Sequence, residues 1–185
     1  MKKKQIEATK LWIIDSCLAS GITNHDQIRY LLATVEHETA GTYLPVRESF
    51  WVRRKMIRKH GKKAGAKRFE VWAKRNFRYY PYYGRGYVQL TWKYNYKKMS
   101  KLLTKHHKSK YIDLVKYPDL ALNPEIALFI LIIGMKAGVY TGKKLDDYIT
   151  DDKTDFRGAR RIVNGTDKAK KIAKIAKGMS IKRWS

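Results

Sequence analysis

The chain has 185 residues, and its 41 lysines and arginines against 16 aspartates and glutamates give a formal net charge of +25. A hydrophobic fraction of 44% excludes disorder caused by a lack of apolar surface, and the length indicates a single domain over residues 1–185. The one cysteine, Cys17, excludes an internal disulfide framework and a multi-cysteine zinc site. The charge predicts an anionic partner, which is nucleic acid, an anionic membrane surface or an acidic cell-wall polymer.

The N-terminus has three lysines followed by an apolar run, as a signal peptide does. Asp15 interrupts this run, and no small-residue cleavage site follows. We therefore expect a first helix rather than a signal peptide, and synthesis in a cytoplasm. No apolar stretch reaches the roughly 18 residues of a membrane span.

Apolar spacing along the chain is mostly helical and predicts a mainly α fold. Asn123 followed by Pro124 is a typical helix start, and residues 84–91 are expected to form a short extended segment or β-hairpin. The predicted helices cover residues 6–18, 26–39, a short basic helix around 69–72, 92–107, 126–139, 156–163 and 168–179.

Glutamates are scarce enough to examine one by one, because the chain has only six. Glu38 falls beside the apolar face of the second helix, near its C-terminal end, where partial desolvation favours the protonated carboxyl that a general acid needs. Glu36 points about 160° away and is predicted to be solvated. Glu48 follows a turn containing Gly41 and Pro45, which allows it to fold back opposite Glu38. Two carboxylates in different environments are the minimum set for glycoside hydrolysis, although a glutamate at a helix end is most often a surface residue.

A zinc site is not expected at His37 and Glu38. These residues resemble the start of the zinc-protease helix motif, but the position of its second histidine is Gly41.

The stretch from residue 77 to residue 96 is rich in aromatic side chains. It holds nine of them, interleaved with Arg78, Arg85, Lys93, Gln89 and Asn95. Such a groove suits sugar rings, which have apolar faces and hydroxyl rims, and it suits stacked nucleobases equally well. We expect about half of the tyrosines to pack between helices instead.

These stretches resemble glycoside hydrolase family 19, the chitinase-like lysozymes, and especially its bacteriophage endolysin branch. The resemblance spans about residues 28–179 and implies a lysozyme-like helical fold with at most a short β-hairpin beside the cleft. Its main segments are 33–41 (ATVEHETAG), 45–49 (PVRES), 83–92 (YGRGYVQLTW), 123–127 (NPEIA) and 159–167 (ARRIVNGTD).

The resemblance implies an inverting glycosidase that needs no metal or organic cofactor. Glu38 matches the general acid, Glu48 matches the general base, and Thr91 matches a hydroxyl that helps to hold the attacking water. The two carboxyls of an inverting enzyme lie roughly 6.5–9.5 Å apart. The implied substrate-binding residues are Gln89, Tyr94, Asn95, Asn164, Tyr87 and Arg85, the last as a brace of the site.

The short connection between the two glutamates favours peptidoglycan over chitin as substrate. Glu48 follows Glu38 by only ten residues, whereas plant chitinases of the family have a longer insertion supported by disulfides. The resemblance therefore implies a monomeric phage endolysin that lyses the host. It would be made in the host cytoplasm, released with the help of a holin and active on the periplasmic wall. Chitinase activity is the alternative.

Basic residues concentrate in three clusters, at 53–78, 97–110 and 168–183. We expect this charge to draw the protein to the anionic wall, and secondarily to lipopolysaccharide or an anionic membrane. The last cluster predicts a basic amphipathic helix over about 168–184, which either covers the core or lies on a membrane, and no separate wall-binding domain is expected. Specific nucleic-acid binding would explain the charge and the aromatic residues, but no recognition motif for it occurs. Lysis by membrane disruption, independent of catalysis, is a further alternative.

Overall fold

The structure is a computed structural model and describes residues 3–106 and 111–181. Helices dominate this part of the chain, which confirms the predicted mainly α class. The α-helices are α1 (Lys3–Ala19), α2 (His25–Glu38), α3 (Phe50–His60), α4 (Lys62–Asn76), α5 (Lys93–His106), α6 (Pro124–Lys136) and α7 (Ala169–Gly178). Two short strands, β1 (Val46–Arg47) and β2 (Arg85–Gly86), pair antiparallel, and 3₁₀ segments cover Pro118–Leu122, Leu145–Asp147 and Gly158–Ile162.

Two helices begin at side-chain caps. The Asn123 carboxamide oxygen accepts hydrogen bonds from the backbone N–H groups of Glu125 and Ile126, and Pro124 occupies the first turn of α6. The Asn24 side chain caps α2 in the same way. Each cap satisfies N–H groups that have no partner within the helix, so the predicted start of α6 is confirmed.

The main core forms around α6, which is buried along most of its length. The apolar face of α2, formed by Ile28, Leu31 and Val35, belongs to the same core. Helix α7 packs against α2 and buries Ile172 and Ala176, while its lysines stay exposed. Helix α7 therefore covers the core, as one of the two predicted alternatives requires. Residues 182–184 of the predicted C-terminal helix, and residue 107 of the predicted fifth helix, lie outside the described residues.

The structure differs from the predicted helices in two regions. Residues 50–76 form two helices, α3 and α4, joined at Gly61 (φ +78°), where one short basic helix was predicted. Helix α3 buries none of its residues. Its sequence is therefore a run of basic side chains without the strong apolar period by which a helix is predicted. The predicted helix at 156–163 is only the 3₁₀ segment Gly158–Ile162.

The small sheet joins distant parts of the chain. Val46 pairs with Gly86 and Arg47 pairs with Arg85, so the predicted extended segment within residues 84–91 is present and β2 is bonded to a strand from a distant part of the chain. An additional bridge between Arg85 and Leu90 closes the local turn. The sheet therefore fixes the segment that follows α2 against the aromatic-rich segment.

No helix in the described ranges is both long enough and apolar enough to cross a bilayer.

Helices α3 and α4 form a hairpin with its own small apolar cluster. Phe69 and Ala73 of α4 pack with Tyr83, and Val52 and Met56 of α3 contact this cluster. The helices cross at Gly65, where an added Cβ would lie 2.4 Å from the Ile57 Cα. Only a glycine allows the two backbones to approach this closely.

Gly65→Ala is therefore expected to destabilise this hairpin. Because the clash is with backbone atoms, we expect the free energy of unfolding to fall by about 1–3 kcal/mol, measured by denaturant titration. Gly178→Ala is the control, since a Cβ there meets nothing within 4 Å. Equal stability of the two variants would contradict the packing described here.

Candidate active site

Glu38 lies at the C-terminal end of α2 and is held by an arginine. Its side chain is 14% exposed, and the Arg160 Nη1 donates a hydrogen bond of 2.8 Å to Glu38 Oε1. Arg160 is itself buried, and its Nε donates to the Asp167 carbonyl at 3.0 Å. A buried guanidinium in contact with the carboxyl fixes its orientation.

Glu36, on the same helix as Glu38, has a different environment. Its Oε2 accepts a 3.0 Å hydrogen bond from the Tyr43 hydroxyl. The sequence predicted a solvated side chain, whereas the structure shows Glu36 half-buried. The Glu36 carboxylate raises the pKa of Tyr43, although burial is the larger cause of that shift. Glu36 does not line the cavity that contains Glu38.

Glu48 follows β1 directly and is anchored by main-chain and side-chain hydrogen bonds. Its backbone N–H donates to the Gly84 carbonyl at 2.7 Å, and the Gly84 N–H donates to Glu48 Oε2 at 2.8 Å. The Tyr79 hydroxyl donates to Oε1 at 2.7 Å. Both carboxylate oxygens thus accept a hydrogen bond, so the orientation of the Glu48 side chain is fixed.

Gly84 leaves the room that this arrangement needs. A Cβ at this position would lie 2.7 Å from Gln89 Oε1 and 3.2 Å from Glu48 Oε2. The glycine therefore lets the backbone N–H reach the carboxylate while the Gln89 side chain packs beside it.

Glu38 and Glu48 line one cavity of about 710 Å³. The same cavity contains most of the other residues that the sequence singled out. These are Thr91, Gln89, Tyr94, Asn95 and Asn164.

The polar residues of the cavity wall support one another. The Gln89 Nε2 donates to the carbonyls of Val46 (3.0 Å) and Gly86 (3.2 Å), so this side chain ties β1 to β2. The Thr91 hydroxyl donates to the Gln89 carbonyl at 2.8 Å, and Asn95 Nδ2 donates to the Thr91 carbonyl at 3.1 Å. Gln89, Thr91 and Asn95 therefore shape the wall through backbone contacts.

Two of the predicted substrate-binding residues on this wall are open to solvent. Tyr94 is 54% exposed, and Asn164 is exposed with its Oδ1 accepting from the Gly165 N–H. An exposed aromatic ring and an exposed carboxamide on a cavity wall provide the stacking surface and hydrogen-bonding groups that a sugar ring needs.

Tyr87 and Arg85 do not line this cavity, so their assignment as substrate-binding residues is corrected. Tyr87 is buried in the main core. Arg85 is also buried, and its guanidinium donates to the carbonyls of Pro81 and Tyr83 and to the Tyr96 hydroxyl. Arg85 braces the aromatic-rich segment from behind the cavity wall.

Asp119 joins both strands of the sheet to the 3₁₀ segment Pro118–Leu122. Its carboxylate accepts hydrogen bonds from Arg47, one of them 2.6 Å long, and one of 2.9 Å from Arg85 Nε. Burial acts to raise the pKa of Asp119, but the hydrogen bonds and charges of the two arginines outweigh it, so its pKa lies below the ordinary value.

Asp119→Asn is expected to lower the free energy of unfolding at pH 7. We expect a loss of about 1 kcal/mol, at the low end for an ion pair with a buried arginine because the Asp119 side chain is 59% exposed. A lowered pKa in the folded state adds stability above the ordinary carboxyl pKa of 3.8, which is lost as the pH falls through the lowered value. The stability difference between wild type and variant should therefore shrink in acid.

Thermal melts between neutral pH and acid measure this difference, with the exposed Asp152→Asn as control. If the stability difference between wild type and Asp119→Asn grows as the pH falls, the lowered pKa of Asp119 is contradicted.

Backbone strain concentrates at the cavity. Ala40, Ser49, Gln89 and Trp92 line it and have positive φ angles of 51°, 53°, 53° and 72°. Residues other than glycine adopt this conformation at a cost, and such residues cluster at functional sites. This strain therefore supports the cavity as a candidate functional site independently of the carboxylates.

His37 also lines the cavity. Burial lowers its pKa, and the neighbouring Glu38 carboxylate only partly opposes this effect. The described residues contain no group of three or more histidine, cysteine, aspartate or glutamate side chains placed to hold a metal ion.

Sequence reasoning missed two residues that hold the glutamates. Arg160 lies within the segment 159–167, but the sequence does not tell which of the adjacent Arg160 and Arg161 points inward. Tyr79 is one of nine aromatic residues in its stretch, and only the fold shows that its hydroxyl reaches Glu48.

A scan against protein-family models, a search of curated proteins and a search of solved structures found no match to this chain.

Proposed function

We propose that this protein is an inverting glycosidase that hydrolyses bacterial peptidoglycan, with a lysozyme-like fold of the family 19 type. The observation that carries the proposal is the cavity in which two glutamates have contrasting partners. Glu38 is paired with one buried guanidinium, and both oxygens of Glu48 accept hydrogen bonds from neutral donors. Two carboxyls with different environments suit the division of roles between a general acid and a general base.

Glu38 is the proposed general acid. It would donate its proton to the glycosidic oxygen as the bond to the leaving sugar breaks. Its carboxyl gains negative charge in this step, and the Arg160 guanidinium at 2.8 Å stabilises the carboxylate that forms. Arg160 is thus a positioning residue for Glu38.

Glu48 is the proposed general base. Tyr79 and Gly84 hold its side chain in place, and each oxygen keeps a second lone pair with which to accept a proton from water. The water would attack the anomeric carbon on the face opposite the leaving group, which inverts the configuration. Thr91, on the same cavity wall, is proposed to help hold that water.

The remaining cavity residues are proposed to bind the glycan. Tyr94 offers an exposed ring for stacking against a sugar, and Asn164 offers an exposed carboxamide for its hydroxyl and acetamido groups. Asn95 is proposed to support binding through the wall that its buried carboxamide helps to shape. Gln89 shapes the wall. No metal or organic cofactor takes part in this chemistry.

The biological role proposed from this activity is that of a phage endolysin. A monomer of one catalytic domain would be made in the host cytoplasm, would pass the inner membrane with the help of a holin, and would degrade the wall from the periplasm. The net charge of +25 fits an anionic envelope as its target.

Release of soluble sugar from two polymers tests this proposal. We expect rapid solubilisation of purified peptidoglycan sacculi and slow turnover of glycol chitin by the same preparation. Rapid turnover of glycol chitin with intact sacculi would instead make the protein a chitinase. Inactivity on both polymers, with a folded protein, would overturn the glycosidase proposal.

A further inference from the structure

The positive charge of the chain is distributed very unevenly. The segment between Glu48 and Asp113 contains 20 of the 41 lysines and arginines and only one acidic residue, Glu70. The hairpin of α3 and α4 alone holds eleven of these cations. Like charges this close together on one element repel one another, and together they attract anions strongly.

The eleven cations of the hairpin of α3 and α4 form none of the ion pairs that hold the described part of the fold together. Glu70, the only acid of the hairpin, accepts a 2.9 Å hydrogen bond from the Tyr83 hydroxyl. All of the hairpin's lysines and arginines except Arg53, which is half-buried, are exposed to solvent.

The hairpin is also part of the cavity wall. Its first turn contributes Phe50 and Trp51, and the chain returns to the cavity at Arg78 and Tyr79, just after α4 ends. Trp51 is 61% exposed. A polymer that lies in the cavity therefore passes beside the base of the hairpin.

We propose that the hairpin of α3 and α4 binds the carboxylates of the peptide stems that branch from the glycan strand. This inference rests on the proposed function and deepens it, because it names the feature that separates peptidoglycan from chitin. Chitin is a neutral polymer, whereas peptidoglycan carries carboxylates at regular intervals. A cationic wall beside the cleft selects the anionic polymer through charge complementarity.

A bilayer surface fits this hairpin less well than a hydrophilic polyanion does. The only large apolar side chains exposed on α3 and α4 are Trp51 and Val71, and Trp51 faces the cavity. A helix that inserts into a membrane interface needs a broad apolar face beside its basic one. Most of the exposed residues of the two helices are lysines and arginines.

The inference is tested by measuring how tightly the full chain binds to sacculi. The chain carries Glu38→Gln, which removes the proposed acid, so that binding is measured without turnover. Into this background we introduce Lys55→Glu, Lys59→Glu and Lys63→Glu, three exposed lysines of the hairpin. The matched control carries Lys97→Glu, Lys101→Glu and Lys105→Glu, three exposed lysines of α5 outside the cavity wall. Both variants have the same net charge. We expect the hairpin variant to bind at least about fivefold more weakly than the control at low salt.

Two further arms identify the ligand. Sacculi whose carboxyls have been converted to neutral amides should bind the unmodified hairpin as weakly as untreated sacculi bind the hairpin variant. Equal losses in the hairpin and control variants, or full binding to the amidated sacculi, would overturn the inference. Binding to vesicles of anionic phospholipid through the same lysines, without binding to sacculi, would overturn it in favour of a membrane.

These experiments distinguish a failure of the proposed binding surface from a failure of the proposed function. If the protein hydrolyses no glycan but the hairpin variant still loses binding to sacculi, the proposed function fails while the binding surface stands. If the protein hydrolyses sacculi and both lysine variants bind equally, the function stands while the binding surface fails.

Discussion

Glu38→Gln is expected to lower the rate of sacculus solubilisation by at least about a hundredfold, because the amide has no acidic proton to transfer to the leaving oxygen. The fold should persist, since the carboxamide oxygen of the substituted side chain still accepts a hydrogen bond from Arg160. The rate is measured as release of soluble muropeptides, and circular dichroism and a thermal melt check the fold.

Glu36→Gln is the matched control for this variant. Glu36 lies on the same helix and accepts a hydrogen bond from Tyr43, but it does not line the cavity. We expect nearly normal activity from it. Normal solubilisation by Glu38→Gln, or an equal loss in both variants, would contradict the role of Glu38.

Glu48→Gln is the second substitution with a large expected effect. A carboxamide cannot take a proton from the attacking water, so we expect at least about a hundredfold loss of the same rate. Tyr79→Phe should give a smaller loss, about tenfold, because Gly84 still holds Glu48 after one hydrogen bond is removed.

Glu70→Gln is the control for Glu48. Glu70 also accepts a hydrogen bond from a tyrosine hydroxyl, lies in the neighbouring α4 and is absent from the cavity wall. It should leave the rate within about twofold of wild type. A full rate in Glu48→Gln together with an intact fold would show that another group activates the water.

Local signals were sufficient for the long helices. Asn123 and Pro124 predicted the start of α6 because capping depends on residues that are adjacent in sequence. The apolar period of α2 likewise predicted a helix that ends close to Glu38. Helix α3 was missed, since it buries no residue and its basic side chains show no contrast between two faces.

Contacts between distant residues had no local signal. Arg160 reaches Glu38 across 122 residues, and only the packing of the fold brings them together. The prediction that Tyr87 binds substrate was wrong for a similar reason. Aromatic residues that alternate along a segment give no sign of which of them face the core, and Tyr87 does.

The placement of Glu48 depended on sheet pairing. The sequence predicted a return of the chain through the turn at Gly41 and Pro45, and β1 provides it by pairing with β2. The positive φ angles at Ser49, Gln89 and Trp92 are set by this tertiary arrangement rather than by residue preference. For this reason the shape of the cavity could not be predicted from composition or periodicity.

The most direct test of the central claim is a mass-spectrometric analysis of the products that the wild-type protein releases from purified sacculi, with and without borohydride reduction. A glycosidase that adds water across the sugar linkage leaves a new reducing end, so we predict disaccharide-peptide products that gain two hydrogens on reduction. Free peptides with intact glycan strands, or sugar products that borohydride does not reduce, would contradict hydrolysis of a glycosidic bond by Glu38 and Glu48.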